Sequence, residues 1–217
     1  MLMNKVVKTL PAVLRRCVTA LKNDCRGLAA VEFAFILPLM LVMFFGTVEL
    51  SSGVAVNRKV TLMARTLSDL TSQSLALADS DLKDFFSASI GIMTPYDPTQ
   101  TKATLSEIYV DANKVAKIQW SKAATIAAGA TQATLANSDR TNGQNVTPIV
   151  PSGLLIPNTY LIFSEVKYTY VPAVGYVVAK TGIPLSDVAY TRPRQSDCVV
   201  YPAPAAGAQP QCGVPVS

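Results

Sequence analysis

The sequence predicts an α+β protein: a long N-terminal helix with a membrane-inserted first half, its outer half packed on a small, antiparallel-sheet exported domain. Three observations carry this. An apolar run of 23 residues extends from Leu28 to Leu50 behind a basic segment. A single apolar stripe at helical spacing continues beyond it. The rest of the chain then turns to β-branched and aromatic alternation punctuated by turn residues. The divisions that follow are a basic cytoplasmic leader (1–27), a transmembrane helix (28–50), an amphipathic helical continuation (51–78), an exported α+β domain (79–200) and a Pro/Ala-rich tail (201–217).

The leader holds the net charge. Lys5, Lys8, Arg15, Arg16, Lys22 and Arg26 face one acid, Asp24, which accounts for the whole chain's +5. The remainder is balanced, so it lacks the clustered Lys and Arg that nucleic acid demands, and no nucleic-acid partner is expected. A basic start before an apolar run predicts an N-in, C-out orientation. A long signal peptide with Phe33–Val48 as its apolar core is the alternative, cleaved after Ala55 to release a secreted module; an unprocessed signal anchor is another.

At 1.5 Å rise per residue, residues 28–50 are long enough to cross a hydrocarbon core of about 30 Å. Pro38 lies inside the run and removes a backbone donor, which predicts a kink or a locally melted turn. Beyond Gly53, Val56, Val60, Met63, Leu67 and Leu70 recur at helical spacing, with Leu77 one heptad further. Arg58, Lys59, Arg65, Asp69 and Gln73 fall off that stripe, so this half is expected to bury one face on the domain. Asp79-Ser80-Asp81 offers a cap and first-turn acids for a short helix over about 81–89.

Strands are expected at 103–110 and 114–121, joined as a hairpin through Asp111-Ala112-Asn113, and at Asn158–Val171, where Glu165 and Lys167 alternate outward. Residues 123–151, rich in Ala, Thr, Asn and Gly, read as a long mobile excursion. A short element is expected around Tyr176–Ala179. The tail, with Pro202, Pro204, Pro210 and Pro215, is expected to be extended or disordered unless stapled.

The chain contains no histidine, which excludes Ser-His-Asp and Cys-His nucleophiles and removes the commonest metal ligand. No phosphate-cradling glycine loop is present. Asp79, Asp81 and Asp84 are spaced as a solvated helix start rather than a catalytic pair or calcium loop. No catalytic residue, metal or cofactor is therefore expected. Of the four cysteines, Cys17 and Cys25 precede the apolar run and would stay reduced; Cys198 and Cys212 follow it and would meet an oxidising compartment. A bond between the latter closes a loop of 15 residues and stabilises by about 3 kcal/mol in the chain-entropy treatment. Two unpaired thiols are the alternative.

The stretch GLAAVE, residues 27–32, resembles the processing site of type IV prepilins: a glycine, then a mature chain with Glu at its fifth position and about twenty apolar residues. More narrowly, AAVEFAFILPLMLVMFFGTVEL, with Pro38 and a second acid at Glu49, resembles the head of TadE-like proteins, pseudopilins of tight-adherence (Flp) pilus systems. VKYTYVP (166–172), IPLS (183–186) and RPR (192–194) resemble that family's closing strand and terminal motif. The resemblance implies a pilin-like fold, cleavage between Gly27 and Leu28 by a prepilin peptidase, and a minor or priming role in pilus assembly. It further implies other pilin and pilus-assembly subunits as partners, and a single-pass place in the bacterial inner membrane with the exported domain periplasmic or pilus-associated. Larger TadG-like relatives carry a von Willebrand-type domain, for which this chain has neither the length nor the metal-site motif.

Glu32 is the residue most in need of a role. A carboxylate near hydrocarbon costs up to about 2.5–3.5 kcal/mol on insertion scales. Cleavage after Gly27 would free the Leu28 amine, a cation with a pKa near 8, to pair with the Glu32 of its own helix or of a staggered neighbour. Glu32 is therefore expected to set subunit docking; a place in the headgroup layer without consequence is the alternative.

Overall fold

A computed structural model describes residues 26–172 and 182–212. The chain forms two units, Met1–Val48 and Glu49–Ser217. Helix α1, Arg26–Ser72, begins in the first unit and ends in the second. The helix runs through Pro38 without interruption, so of the expected kink or melted turn the melted turn is not formed. In the first unit the described side chains from Ala29 to Val48 are all exposed. This helix meets the length and hydropathy of a membrane span, with none of its apolar window buried in protein.

In the second unit α1 behaves as an amphipathic helix. Val56, Val60, Met63, Ala64 and Leu67 are fully buried, and Arg58 and Arg65 are exposed. Small residues let the helix approach the sheet closely: Ser164 Oγ donates to the Ala64 carbonyl at 2.6 Å, and Ser68 and Thr191 share a hydroxyl contact of 2.6 Å. The helix ends at Ser72, short of the expected continuation to 78. Leu70 is only half-buried, and Leu77 is buried from an extended segment, its amide donating to the Val200 carbonyl at 2.9 Å. A heptad count cannot distinguish these two routes to burial.

Helix α2, Asp79–Gly91, buries Leu82, Phe86 and Ile90 at i, i+4 and i+8 against the same core. Its start is held by Asp81, whose carboxylate reaches back to the Ala78 amide at 2.8 Å, supplying one of the acceptors that a helix N-terminus lacks.

The sheet is wholly antiparallel, in the order β3-β2-β1-β4-β5. Its strands are β1 (Thr101–Val110), β2 (Ala116–Thr125), β3 (Thr134–Asn137), β4 (Thr159–Tyr170) and β5 (Ile183–Thr191). The β1–β2 hairpin forms as expected. Asp111 ties its turn by accepting from the amides of Asn113 and Val115, and Lys114 takes the left-handed conformation at φ 64°. Period-two alternation, reset in β2 by a bulge between Ile118 and Trp120 opposite Glu107–Ile108, divides the strands between two cores. Ala103, Leu105, Trp120, Ile162, Val166, Tyr168 and Tyr170 face the helices, whereas Ile108, Val110, Ile118, Leu161 and Phe163 face the opposite side.

That opposite core explains the region read as a mobile excursion. Residues 123–151 instead contain the end of β2, the edge strand β3 and a covering segment in which Val146 and Val150 are buried over Ile118 and Phe163. The covering segment also completes the edge of β2. The Val146 amide donates to the Ala116 carbonyl and Gly143 to Ile118, both at 2.8 Å. At the other edge, β5 is blunted: Pro184 has no donor, and the Val188 amide is taken by the Asp187 carboxylate at 2.8 Å. Gly182, which leads into β5, has φ +76° and its Cβ position lies 2.6 Å from Thr169 Cγ2, so only glycine fits there. The expected element at Tyr176–Ala179 lies outside the described residues.

Candidate functional site

The residues singled out for processing and docking lie at the start of α1. Gly27 and Leu28 belong to its first turn, and Glu32 follows one turn later with its side chain exposed. A Cβ built on Gly27 meets nothing within 4 Å. Among the described residues nothing places a steric demand for glycine at this position. The helix between Val31 and Val48 presents Phe35, Leu39, Val42, Met43 and Phe44 outward, each more than half exposed. Thr47 hides its hydroxyl by donating to the Met43 carbonyl at 2.7 Å, the satisfaction that a polar side chain needs when no water is at hand.

The second acid of the head, Glu49, is the first residue of the second unit and meets the end of β4. The Tyr170 hydroxyl donates to Glu49 Oε1 at 3.0 Å, and Gly53 packs below the same ring, its Cβ position 3.8 Å from the ring edge. Burial and the Glu49 carboxylate push the Tyr170 phenol up to about 12, so it stays a donor at every physiological pH. Six residues further along α1, Lys59 is the anchor: its ammonium donates to the Thr94 carbonyl at 2.9 Å and to the Ile92 carbonyl at 2.8 Å. Sequence reading noticed Glu49 but not its tyrosine, because a pairing across 121 positions leaves no local signal.

At the other end of the chain, Cys198 and Cys212 are joined by a disulfide with a Cα separation of 5.8 Å. The segment this bond holds is seated through Val199. The Trp120 indole donates to the Val199 carbonyl at 2.8 Å, and the Val199 amide donates to Glu107 Oε1 at 2.6 Å. Tyr201 then lies against Trp120, with ring centroids 5.4 Å apart, and donates to Asp79 at 2.6 Å. Glu107 is 3% exposed. Burial pushes its carboxyl up to about 8 against the opposing pull of the Val199 amide and the Trp120 indole. No pattern in the sequence marked this acid, which sits in a strand read only as partly alternating.

Chemically, these arrangements bind chain to chain. Among the described residues no cluster of three His, Cys, Asp or Glu side chains could hold a metal. The Arg140–Glu165–Lys167 group on the outer sheet face is an ion-pair network, in which the cations outweigh the effect of burial and hold the Glu165 carboxyl below its usual range.

No curated protein and no solved structure matches the chain. One family model does: that of TadE-like protein, over residues 27–67. This is a pilus-related structural family whose members carry an N-terminal hydrophobic helix. The match covers the exposed apolar head, Glu32, Glu49 and most of the buried stripe of α1, and over these residues the chain is similar to TadE-like proteins.

Proposed function

We propose that the protein is a minor pilin or pseudopilin of a tight-adherence (Flp) type IV pilus, cleaved after Gly27 by a prepilin peptidase and held in the bacterial inner membrane, N-in and C-out. The observation that carries this reading is where the family match starts: at Gly27, the residue after which cleavage is expected. Gly27 has no steric reason to be glycine, so a peptidase that cannot seat a side chain at the scissile position supplies the reason. Glu32, exposed in the isolated chain, is then the residue that selects register when the helix meets other pilins, because a low-dielectric surrounding penalises any register that leaves it unpaired.

N-terminal sequencing of the mature protein tests the processing step. Leu28 as first residue supports it, Met1 returns the chain to an unprocessed anchor, and Val56 to a secreted module. Gly27→Leu should yield a heavier, uncleaved species. Glu32→Ala should leave the protein inserted and cleaved but the cell without pili; normal piliation at matched protein levels would remove the docking role.

A further inference from the structure

We infer that the end of the Glu49–Ser217 unit at which α1 enters it is a lipid-contacting surface, with Leu50, Val54, Val171 and Ile183 in the interfacial layer of a bilayer and Arg58 reaching the lipid phosphates. The inference rests on α1 being a membrane span and adds a second contact, made by the folded unit itself.

The geometry gathers these residues. The Tyr170–Glu49 hydrogen bond brings the last residue of β4 to the entry of α1, and the ladder register pairs Tyr170 with Ile183, the first residue of β5. Val171 follows directly. Leu50, Val54, Val171 and Ile183 are 72%, 49%, 56% and 42% exposed, an expensive arrangement in water at about 25 cal/mol per Å² of apolar surface. On α1, Leu50, Val54 and Arg58 stand at i, i+4 and i+8, one face that passes from apolar to cationic as the helix leaves the span.

The chemistry of this end differs from that of the opposite one. The described strand ends here, Tyr-Val-Pro at 170–172 and Gly-Ile-Pro at 182–184, carry no charged residue of their own, and neither proline has an amide to leave unpaired. Lys59 covers the carbonyls of Ile92 and Thr94. Tyr168 and Tyr170 are buried in the core near the entry point, and half-buried Tyr96 packs against that core. The far end of the sheet, by contrast, turns through Asp111, Asn113 and Lys114, all polar. Exposed apolar residues continuous with a membrane helix, on a face that passes from Leu50 and Val54 to the cationic Arg58, fit a bilayer interface, where apolar chains lie beside anionic phosphates, better than a protein partner.

The full chain, with Cys17 and Cys25 replaced by serine, would be placed in phosphatidylcholine nanodiscs and labelled with a fluorophore at V171C, I183C or, as the distal control, K114C. Discs made with headgroup-nitroxide lipid should quench the probes at 171 and 183 several-fold more than the probe at 114. Incorporation with all three probes equally unquenched would overturn the inference while leaving the span intact. Label-to-label self-quenching between chains at 171 or 183, without lipid quenching, would overturn it in favour of a second copy as occupant. A chain that elutes free of discs would overturn the span reading and this inference together.

Discussion

Two stretches of α1 contrast most sharply. Residues 29–48 are the more apolar and are exposed throughout, while 56–72 are the less apolar and bury a full stripe. Hydrophobicity alone therefore does not decide burial; the available partner does. Val56, Val60, Met63 and Leu67 meet a sheet whose facing residues, from Ala103 to Tyr170, complete a core. Phe35, Val42 and Phe44 stay more than half exposed, and the solvent that suits such side chains is lipid. The same rule separates the acids: Glu107 is sealed in the core beside an amide and an indole, whereas Glu32 is exposed among apolar neighbours.

The contrast is easiest to break with paired substitutions. Phe86→Ala, which empties a fully buried site on α2, should cost about 3–5 kcal/mol of unfolding free energy, read in detergent by denaturant titration of the single tryptophan, Trp120. Phe44→Ala, of the same chemistry but 61% exposed, should stay within about 0.5 kcal/mol in that assay. A comparable loss from Phe44 would mean that the first stretch has a protein partner after all. Cys212→Ser removes the disulfide and should cost about 3 kcal/mol, accompanied by protease access near Val199; an unchanged midpoint would show that Val199 and Tyr201 hold the C-terminal segment unaided.

The buried acid sharpens the comparison through pH. Because folding raises the Glu107 carboxyl from 4.5 to about 8, the native state binds more protons than the unfolded one between those values. Stability should therefore fall as pH rises across that window, by no more than about 1.4 kcal/mol per pH unit for one proton. Glu107→Gln keeps an acceptor for the Val199 amide and should flatten the slope. A slope that persists in the variant would assign it to another group.

The helices and three of the long strands were legible because their signals are local: a stripe at 3.6-residue spacing in 56–67, an acid-rich start at Asp79–Asp81, and alternation in 103–110, 114–121 and 158–171. What escaped lacks such a signal. β3 is an edge strand with three of its four residues exposed, so it carries no apolar alternation, and Val146 and Val150 cover the outer sheet face from an irregular backbone. The end of α1 escaped because Leu77 continues the heptad while its backbone has already turned to pair with Val200. At the candidate site, Gly27 and Glu32 were singled out by the resemblance of GLAAVE to a prepilin processing site ahead of the apolar run. The Tyr170–Glu49 and Glu107–Val199 pairs were not, since each joins positions about a hundred residues apart.

The blunted rim of β5 has a consequence for how many copies can live side by side. Chains tethered to one bilayer diffuse in a plane, where they meet far more often than in bulk, and an open strand rim in such a crowd would recruit its twin and grow into a ribbon. With Pro184 offering no donor and Asp187 occupying the Val188 amide, strand addition there would lack two of the donors it needs. The consequence of such a rim is that copies of a chain anchored in one membrane can lie side by side without joining through their sheets.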